Sequence, residues 1–300
     1  MGLTENNLSM IRALAENRIE DAKQYAIVSC VEDKTKKNEG RTNYYKRLLE
    51  NGNAKSLELP SSLQGLLNMI DISDFREGRY YLGDMQKKVF EEISRGYEVT
   101  VKMLELGIPY LNSTLIYGEP GTGKTEFAKY VAYKLGVPFA YVNFSYLISS
   151  YMGSTSQNLR KVFDYCKGQK CVLLLDEIDC IGLARGDGKG VDGELARTTI
   201  SLMQCLDELT DGQIIIGATN RADRLDKALL RRFQREHEFV RFDEVDRLNM
   251  IEKFIMDIGM KYDGTSSIEY AKQDNTQAEI NKHLIECIAK AITDNDIIML

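Results

Sequence analysis

The chain reads as an α/β protein whose parallel sheet is covered by helices on both faces. Three observations predict this. Short apolar runs (Leu115–Tyr117, Phe139–Phe144, Cys171–Leu175, Gln213–Ala218 and Glu238–Phe242) alternate with segments of helical periodicity. Residues 118–125 read Gly-Glu-Pro-Gly-Thr-Gly-Lys-Thr, placed between the first run and a helix expected over Glu126–Leu135 and stopped by Gly136 and Pro138. The runs Val172–Leu175 and Ile214–Ile216 lead into polar pairs, Asp176-Glu177 and Thr219-Asn220. Open α/β sheets bind ligands at the carboxyl ends of such strands.

Taken in order, residues 1–54 form an N-terminal helical region suited to recruiting a substrate or adaptor. Leu8, Ile11, Leu14 and Ala15 share one helical face, and Ile19, Ala22, Tyr25 and Ala26 share a second. A third helix fits Lys34–Arg47, broken after Leu49 by Asn51-Gly52-Asn53. Residues 55–78, with Pro60, Ser61, Ser62 and Gly65, read as a linker. Residues 79–242 carry the α/β pattern, opened by a helix near Asp84–Leu106. Residues 243–300 read as a small helical unit, with helices at about 244–258 and 276–293 flanking a polar stretch, Asp263–Ser267.

The phosphate chemistry is explicit in the loop. Within Glu119-Pro120-Gly121-Thr122-Gly123 the glycines let backbone N–H groups curl around phosphate oxygens, where a side chain would clash. Lys124 reaches the outer phosphates, Thr125 offers a hydroxyl to Mg²⁺, and the following helix aims its positive end at the anion. At this distance after such a loop, Asp176 is placed to hold Mg²⁺ with Thr125. Glu177 is placed to polarise an attacking water as general base, and Asn220 to position that water. Arg231 and Arg232, in Leu229-Leu230-Arg-Arg-Phe233, have no carboxylate nearby in sequence except Glu236. From spacing alone they read as a solvated basic turn.

Together these motifs resemble an AAA+ ATPase of the AAA clade. The resemblance rests on Gly118–Thr125, Leu-Leu-Asp176-Glu177-Ile-Asp179, Ala-Thr-Asn220-Arg-Ala-Asp and Leu-Asp226-Lys-Ala-Leu-Leu-Arg231-Arg232-Phe233, and spans roughly residues 80–293. It implies a five-stranded parallel P-loop NTPase sheet, a C-terminal helical lid, ATP and Mg²⁺ as ligands, and a ring, usually a hexamer. It turns Arg231 and Arg232 into expected arginine fingers acting on a neighbouring subunit. The usual Pro-Gly between the two is missing, a contraction similar to that of the microtubule-severing and related subgroup, which leaves their division of labour open. Asp179 and Arg185 fit the family's interface pattern. Tyr151-Met152-Gly153 resembles the aromatic-hydrophobic-glycine pore loop of protein-threading rings, the alternative being a core aromatic at Tyr151. It precedes a helix with an expected capping box, Ser154-x-x-Gln157, and an apolar face of Leu159, Val162, Phe163 and Cys166. Gly186–Gly193 reads equally as a second pore loop or a solvated one. Thr276-Gln277-Ala278-Glu279-Ile280 resembles the lid segment Ser-Gly-Ala-Asp-Ile, which puts Ala278 near the adenine and Gln277 where the family carries glycine.

Composition narrows the partners. With 39 Lys+Arg against 45 Asp+Glu, the net charge of −6 gives no support for a nucleic-acid partner. A nucleic-acid loader is the alternative reading, and it would call for basic pore residues in place of Tyr151. Six cysteines without a C-x-x-C pair and only two histidines leave no zinc pattern, and fit reduced thiols in the cytoplasm. No apolar run approaches membrane-spanning length. Met1-Gly2 opens like a myristoylation site, but Asn6 stands where Ser or Thr is preferred. The expectation is a cytoplasmic homo-oligomeric ATPase acting on a protein substrate, with no nucleic acid and no membrane.

Overall fold

The computed structural model describes residues 4–15, 18–34, 42, 45–46, 49, 59–150, 154–167, 170–181, 191–209, 212–294 and 297–300. The expected pore loop Tyr151-Met152-Gly153, Arg185, residues 186–190 and the break at 51–53 lie outside them, as does most of the third helix.

A six-stranded sheet forms the centre: β1 Asn68–Ile70, β2 Asn112–Tyr117, β3 Phe139–Asn143, β4 Val172–Asp176, β5 Ile214–Thr219 and β6 Arg235–Glu238, in the order β1-β3-β4-β5-β2-β6. β2 to β6 pair in parallel, whereas β1 runs antiparallel to β3 with Met69 opposite Ala140. This corrects the expected five-stranded, all-parallel sheet. β1 comes from the segment read as a linker. Three residues are too few to show a period, and pairing with β3 covers an edge that would otherwise be open.

The parallel strands are apolar throughout because both faces are covered, and their alternate residues enter opposite cores. Leu115, Leu173, Leu175 and Ile215 pack on one side with Leu159, Val162 and Phe163. Ile116, Val172, Leu174, Ile214 and Ile216 pack on the other with Phe127, Val131, Val89 and Ile93. Each such side chain contributes about 1.5–3 kcal/mol by leaving water.

The helices Asp84–Glu105, Lys124–Leu135 and Thr155–Cys166 form where the pattern placed them. Three local readings change. β6 was expected over Glu238–Phe242 but lies at Arg235–Glu238. Its Arg-Glu-His-Glu sequence is polar because it is an edge strand, and the apolar Phe239 and Phe242 are buried just beyond it. Ser154 stands at the N-cap of its helix, but its hydroxyl accepts from Asn158 Nδ2 at 3.3 Å and no capping box closes. The polar stretch after Asp263 is helical over Gly264–Ala271, because the Asp263 carboxylate accepts from Thr265 N at 3.2 Å and Ser266 N at 3.0 Å.

Helices Glu244–Ile258, Gly264–Ala271 and Gln277–Asp294 enclose a core of Ile251, Ile255, Ile280, Leu284 and Ile298. Near the amino end, helices Glu5–Ala15 and Ile19–Glu32 pack on each other. In the first of them Ala13 is buried, while Leu8, Ile11 and Leu14 of the shared face are exposed. No helix among the described residues is long and apolar enough to cross a membrane.

Candidate active site

β4, β5 and β2 are neighbours in the sheet, so the motifs that follow them meet at one carboxyl-end edge. The meeting place is a cleft of about 1080 Å³ lined by Pro120, Gly121, Gly123, Lys124, Thr125, Asp176, Glu177, Asn220 and Ala278. Those nine residues, drawn from four motifs, are brought together on one cleft. Glu119 and Thr122 shape the loop from outside the cleft: Thr122 Oγ1 donates to Glu119 O at 2.9 Å.

The loop takes its form from left-handed backbone at Gly121 (φ 85°) and Gly123 (φ 84°). At Gly121 a Cβ would also lie 2.9 Å from Thr276 Oγ1 and 3.3 Å from Ala278 Cβ. The reason for that closeness is a direct join, in which Ala278 N donates to Gly121 O at 3.0 Å. The helical lid is thus seated on the phosphate loop itself. A second link runs through Arg241, whose guanidinium donates to Glu119 Oε2 at 2.8 Å and to Asp274 O at 2.7 Å. Its exposure makes that link weak in energy, though it fixes direction.

Lys124 opens the helix after the loop, buried, with Nζ donating to Gly118 O and Glu119 O at 2.8 Å each. Burial lowers its pKa, opposed by the Asp176 and Asp179 carboxylates. Thr125 Oγ1 donates to Asp176 Oδ2 at 3.0 Å, so a hydroxyl and a carboxylate converge beside the loop. Hard oxygen donors of this kind suit Mg²⁺. Among the described residues no cluster of three or more His, Cys, Asp or Glu could hold a metal alone. A cation here would complete its shell with phosphate and water, which is how Mg²⁺ is ordinarily held.

Burial raises the Asp176 pKa more than the Thr125 hydroxyl and Glu177 N–H lower it. A carboxyl raised by folding costs stability once it ionises. That cost begins as pH rises past the ordinary carboxylate value and is complete above the raised one, so it is present at neutral pH. Asp176→Asn is therefore expected to raise the melting temperature of the ligand-free protein by about 2 °C while weakening Mg²⁺-dependent nucleotide binding. Differential scanning fluorimetry with and without Mg²⁺ and nucleotide reads both effects.

Glu177 is the one non-glycine residue among those described with positive φ, 56°. Its N–H donates to Asp176 Oδ1 at 3.0 Å, so the left-handed turn is held by the acid before it. Such strain collects at functional sites. Nothing in the residue pattern announces it. Behind Asn220, which is exposed, Thr219 Oγ1 donates to Asp179 Oδ1 at 2.6 Å and ties the end of β5 to that of β4.

Arg231 and Arg232 do not line the cleft. They border a separate hollow of about 360 Å³ with Tyr110, Leu206, Asp207 and Gln234. The sequence offered only Glu236 as a partner, but Arg232 pairs with Asp207, donating to its two oxygens at 3.3 and 3.2 Å. That acid is 25 residues away in sequence, on the helix Val191–Glu208. Arg231 is exposed and makes no such pair among the described residues.

Two further residues at the cleft, Tyr80 and Gln86, escaped the sequence reading, and a third, Gln277, was named there only as standing where the family carries glycine. Tyr80 packs on Phe75 and Tyr130 at its rim, and those two rings in turn meet Tyr133 and Phe90. Gln86 lines it from the start of the helix Asp84–Glu105, and Gln277 from the start of the lid's last helix. The local signal for Gln277 was its place in the lid segment. For Tyr80 there was none beyond an aromatic-rich stretch.

Residues 114–241 match the family described as "ATPase family associated with various cellular activities (AAA)". Among curated proteins, the chain is 36% identical over 192 residues to the 26S proteasome regulatory subunit 8 homolog of Schizosaccharomyces pombe, covering 60% of this chain and 48% of that one. It is 36% identical over 205 residues to the proteasome-activating nucleotidase of Methanoregula boonei, covering 65% and 47%. Against the subunit 8 homolog of Encephalitozoon cuniculi it is 35% identical over 205 residues, covering 65% and 52%. The chain spans about half the length of the curated relatives it matches. Sheet order, phosphate loop and family match agree on a P-loop α/β fold that over residues 114–241 is similar to the AAA family.

Proposed function

We propose that the chain is a cytoplasmic Mg²⁺-dependent ATPase that works as a homo-oligomeric, six-membered ring and remodels or threads a protein substrate. The observation that carries the ATPase reading is the convergence of Lys124, Thr125, Asp176, Glu177 and Asn220 on one cleft from three adjacent strand ends. Lys124 and the loop N–H groups hold the phosphates. Thr125 and Asp176 hold the metal, which when bound neutralises phosphate charge. Asn220 orients a water at the γ-phosphorus. Glu177 accepts its proton as the new P–O bond forms and ADP leaves. Arg231 reaches the cleft of the next subunit, which explains why it borders no nucleotide cleft in its own chain.

The protein-substrate reading draws on Tyr151-Met152-Gly153 and on relatives named as proteasome regulatory subunits and a proteasome-activating nucleotidase. Adjacent Arg231 and Arg232 speak for kinship with the microtubule-severing subgroup, and either kinship makes the substrate a protein. A ring of Tyr151 side chains can grip an extended chain through contacts that ignore its sequence. The N-terminal helices, residues 1–54, would recruit the substrate or an adaptor, and residues 243–300 serve as the lid over residues 79–242.

The test is electron microscopy of the Glu177→Gln variant with ATP and an unfolded protein. The expected images show rings with density in the pore at Tyr151. Monomers under those conditions would remove both the ring and the pore assignment.

A further inference from the structure

Two buried side-chain polar atoms among the described residues have no hydrogen-bond partner, Tyr80 Oη and Gln277 Oε1. Both residues line the nucleotide cleft. An orphaned buried acceptor is costly, and a ligand that supplies the missing donor is rewarded accordingly.

The cleft has two ends. The phosphate loop, Asp176 and Glu177 make the polar end, while Ile72, Tyr81, Phe242, Met250, Phe254 and Ile285 make the other largely apolar. A nucleotide with its phosphates on Lys124 lays its base toward the apolar end. Gln277 lines the cleft one residue before Ala278, whose N–H is bonded to Gly121 O. The residue is 6% exposed. Its amide orientation is set by the chain, because Nε2 donates to Val240 O at 3.2 Å. That bond engages one of the two amide hydrogens and fixes which end of the amide is oxygen, and Oε1 is the acceptor left without a partner.

Resting on the ATP reading of this cleft, we infer that Gln277 Oε1 accepts a hydrogen bond from the 6-amino group of the purine and so selects adenine nucleotides. Adenine carries an NH₂ donor at that position. Guanine carries a carbonyl, which would set acceptor against acceptor and leave both buried and unpaired. Glycine at this position could not make the distinction, having no side chain. In this chain the choice of base is written into a lid residue. Selecting the base and seating the lid are then one event.

The test is calorimetric titration of the full chain, with Mg²⁺, using ADP, GDP and purine riboside 5′-diphosphate, which is adenine's analogue without the amine. Diphosphates avoid turnover. Wild type is expected to bind ADP roughly three- to tenfold more tightly than the amine-free analogue, and GDP more weakly still. In Gln277→Met, of similar length but with no acceptor, the two purines should bind equally. Because each comparison is a ratio within one protein, a general loss of stability cancels. Equal binding of ADP and the analogue by wild type overturns the inference without any variant, and so does a preference that survives Gln277→Met. Failure of ADP itself to bind is a different result, and it would overturn the nucleotide reading of the cleft together with this one.

Discussion

Glu177→Gln stops turnover and leaves nucleotide binding in place: kcat falls by about 10²–10⁴-fold and the affinity for ATP changes little. The change removes the proton acceptor without altering side-chain length. Glutamine keeps the backbone N–H that donates to Asp176 Oδ1, so the strained turn and its φ of 56° persist. It takes no bond from Lys124, whose Nζ is held by Gly118 O and Glu119 O. The loss should therefore fall on the chemical step. Phosphate release under saturating ATP, compared with equilibrium binding of a fluorescent analogue, separates the two. Normal turnover in the variant would take Glu177 out of the mechanism.

The second large effect is expected at Arg231. Replacement by alanine should cut kcat by about 10³–10⁵-fold, the range for an arginine supplied to a phosphoryl-transfer site. Binding of ATP to the same chain should be untouched, since Arg231 does not line its own cleft. Arg232→Ala is expected to do less to the rate, because that guanidinium is already committed to Asp207 and to Ala228 O at 2.8 Å. Mixing gives the decisive measurement. An Arg231→Ala chain still offers Glu177, and a Glu177→Gln chain still offers Arg231. Each alone should be inactive, and the mixture should regain part of the wild-type rate. Mixtures as dead as their components would mean that the arginine does not act between subunits.

The residues of the nucleotide cleft were readable because their chemistry is local. A phosphate loop needs glycines, lysine and threonine at fixed spacing, since one turn of backbone wraps one phosphate group. Asp176-Glu177 and Asn220 could be placed beside it because an apolar run that ends in a polar residue marks the carboxyl end of a buried strand. The strands themselves were readable where both faces are covered, as at Val172–Leu175 and Ile214–Ile216. They were misread where the sheet ends: β1 is too short to carry a period, and β6 is polar because it lies at an edge.

Sequence by itself thus determined the phosphate-loop pattern at Gly118–Thr125, and which residues would stand around it. It did so through short-range constraints, in which the residue type and its neighbours decide the outcome. Only the tertiary structure decided the rest. The pairing of Arg232 with Asp207 joins residues 25 apart and separates two arginines that look alike in the sequence. The bond from Ala278 N to Gly121 O joins the lid to the loop across more than 150 residues. The orphaned oxygen of Gln277 exists because Val240 O, from the far side of the lid junction, claims the amide nitrogen. None of these has a spacing rule, because each depends on which elements the sheet order brings together. The phosphate loop could be read from eight consecutive residues, but its lid and its expected base selectivity required the fold.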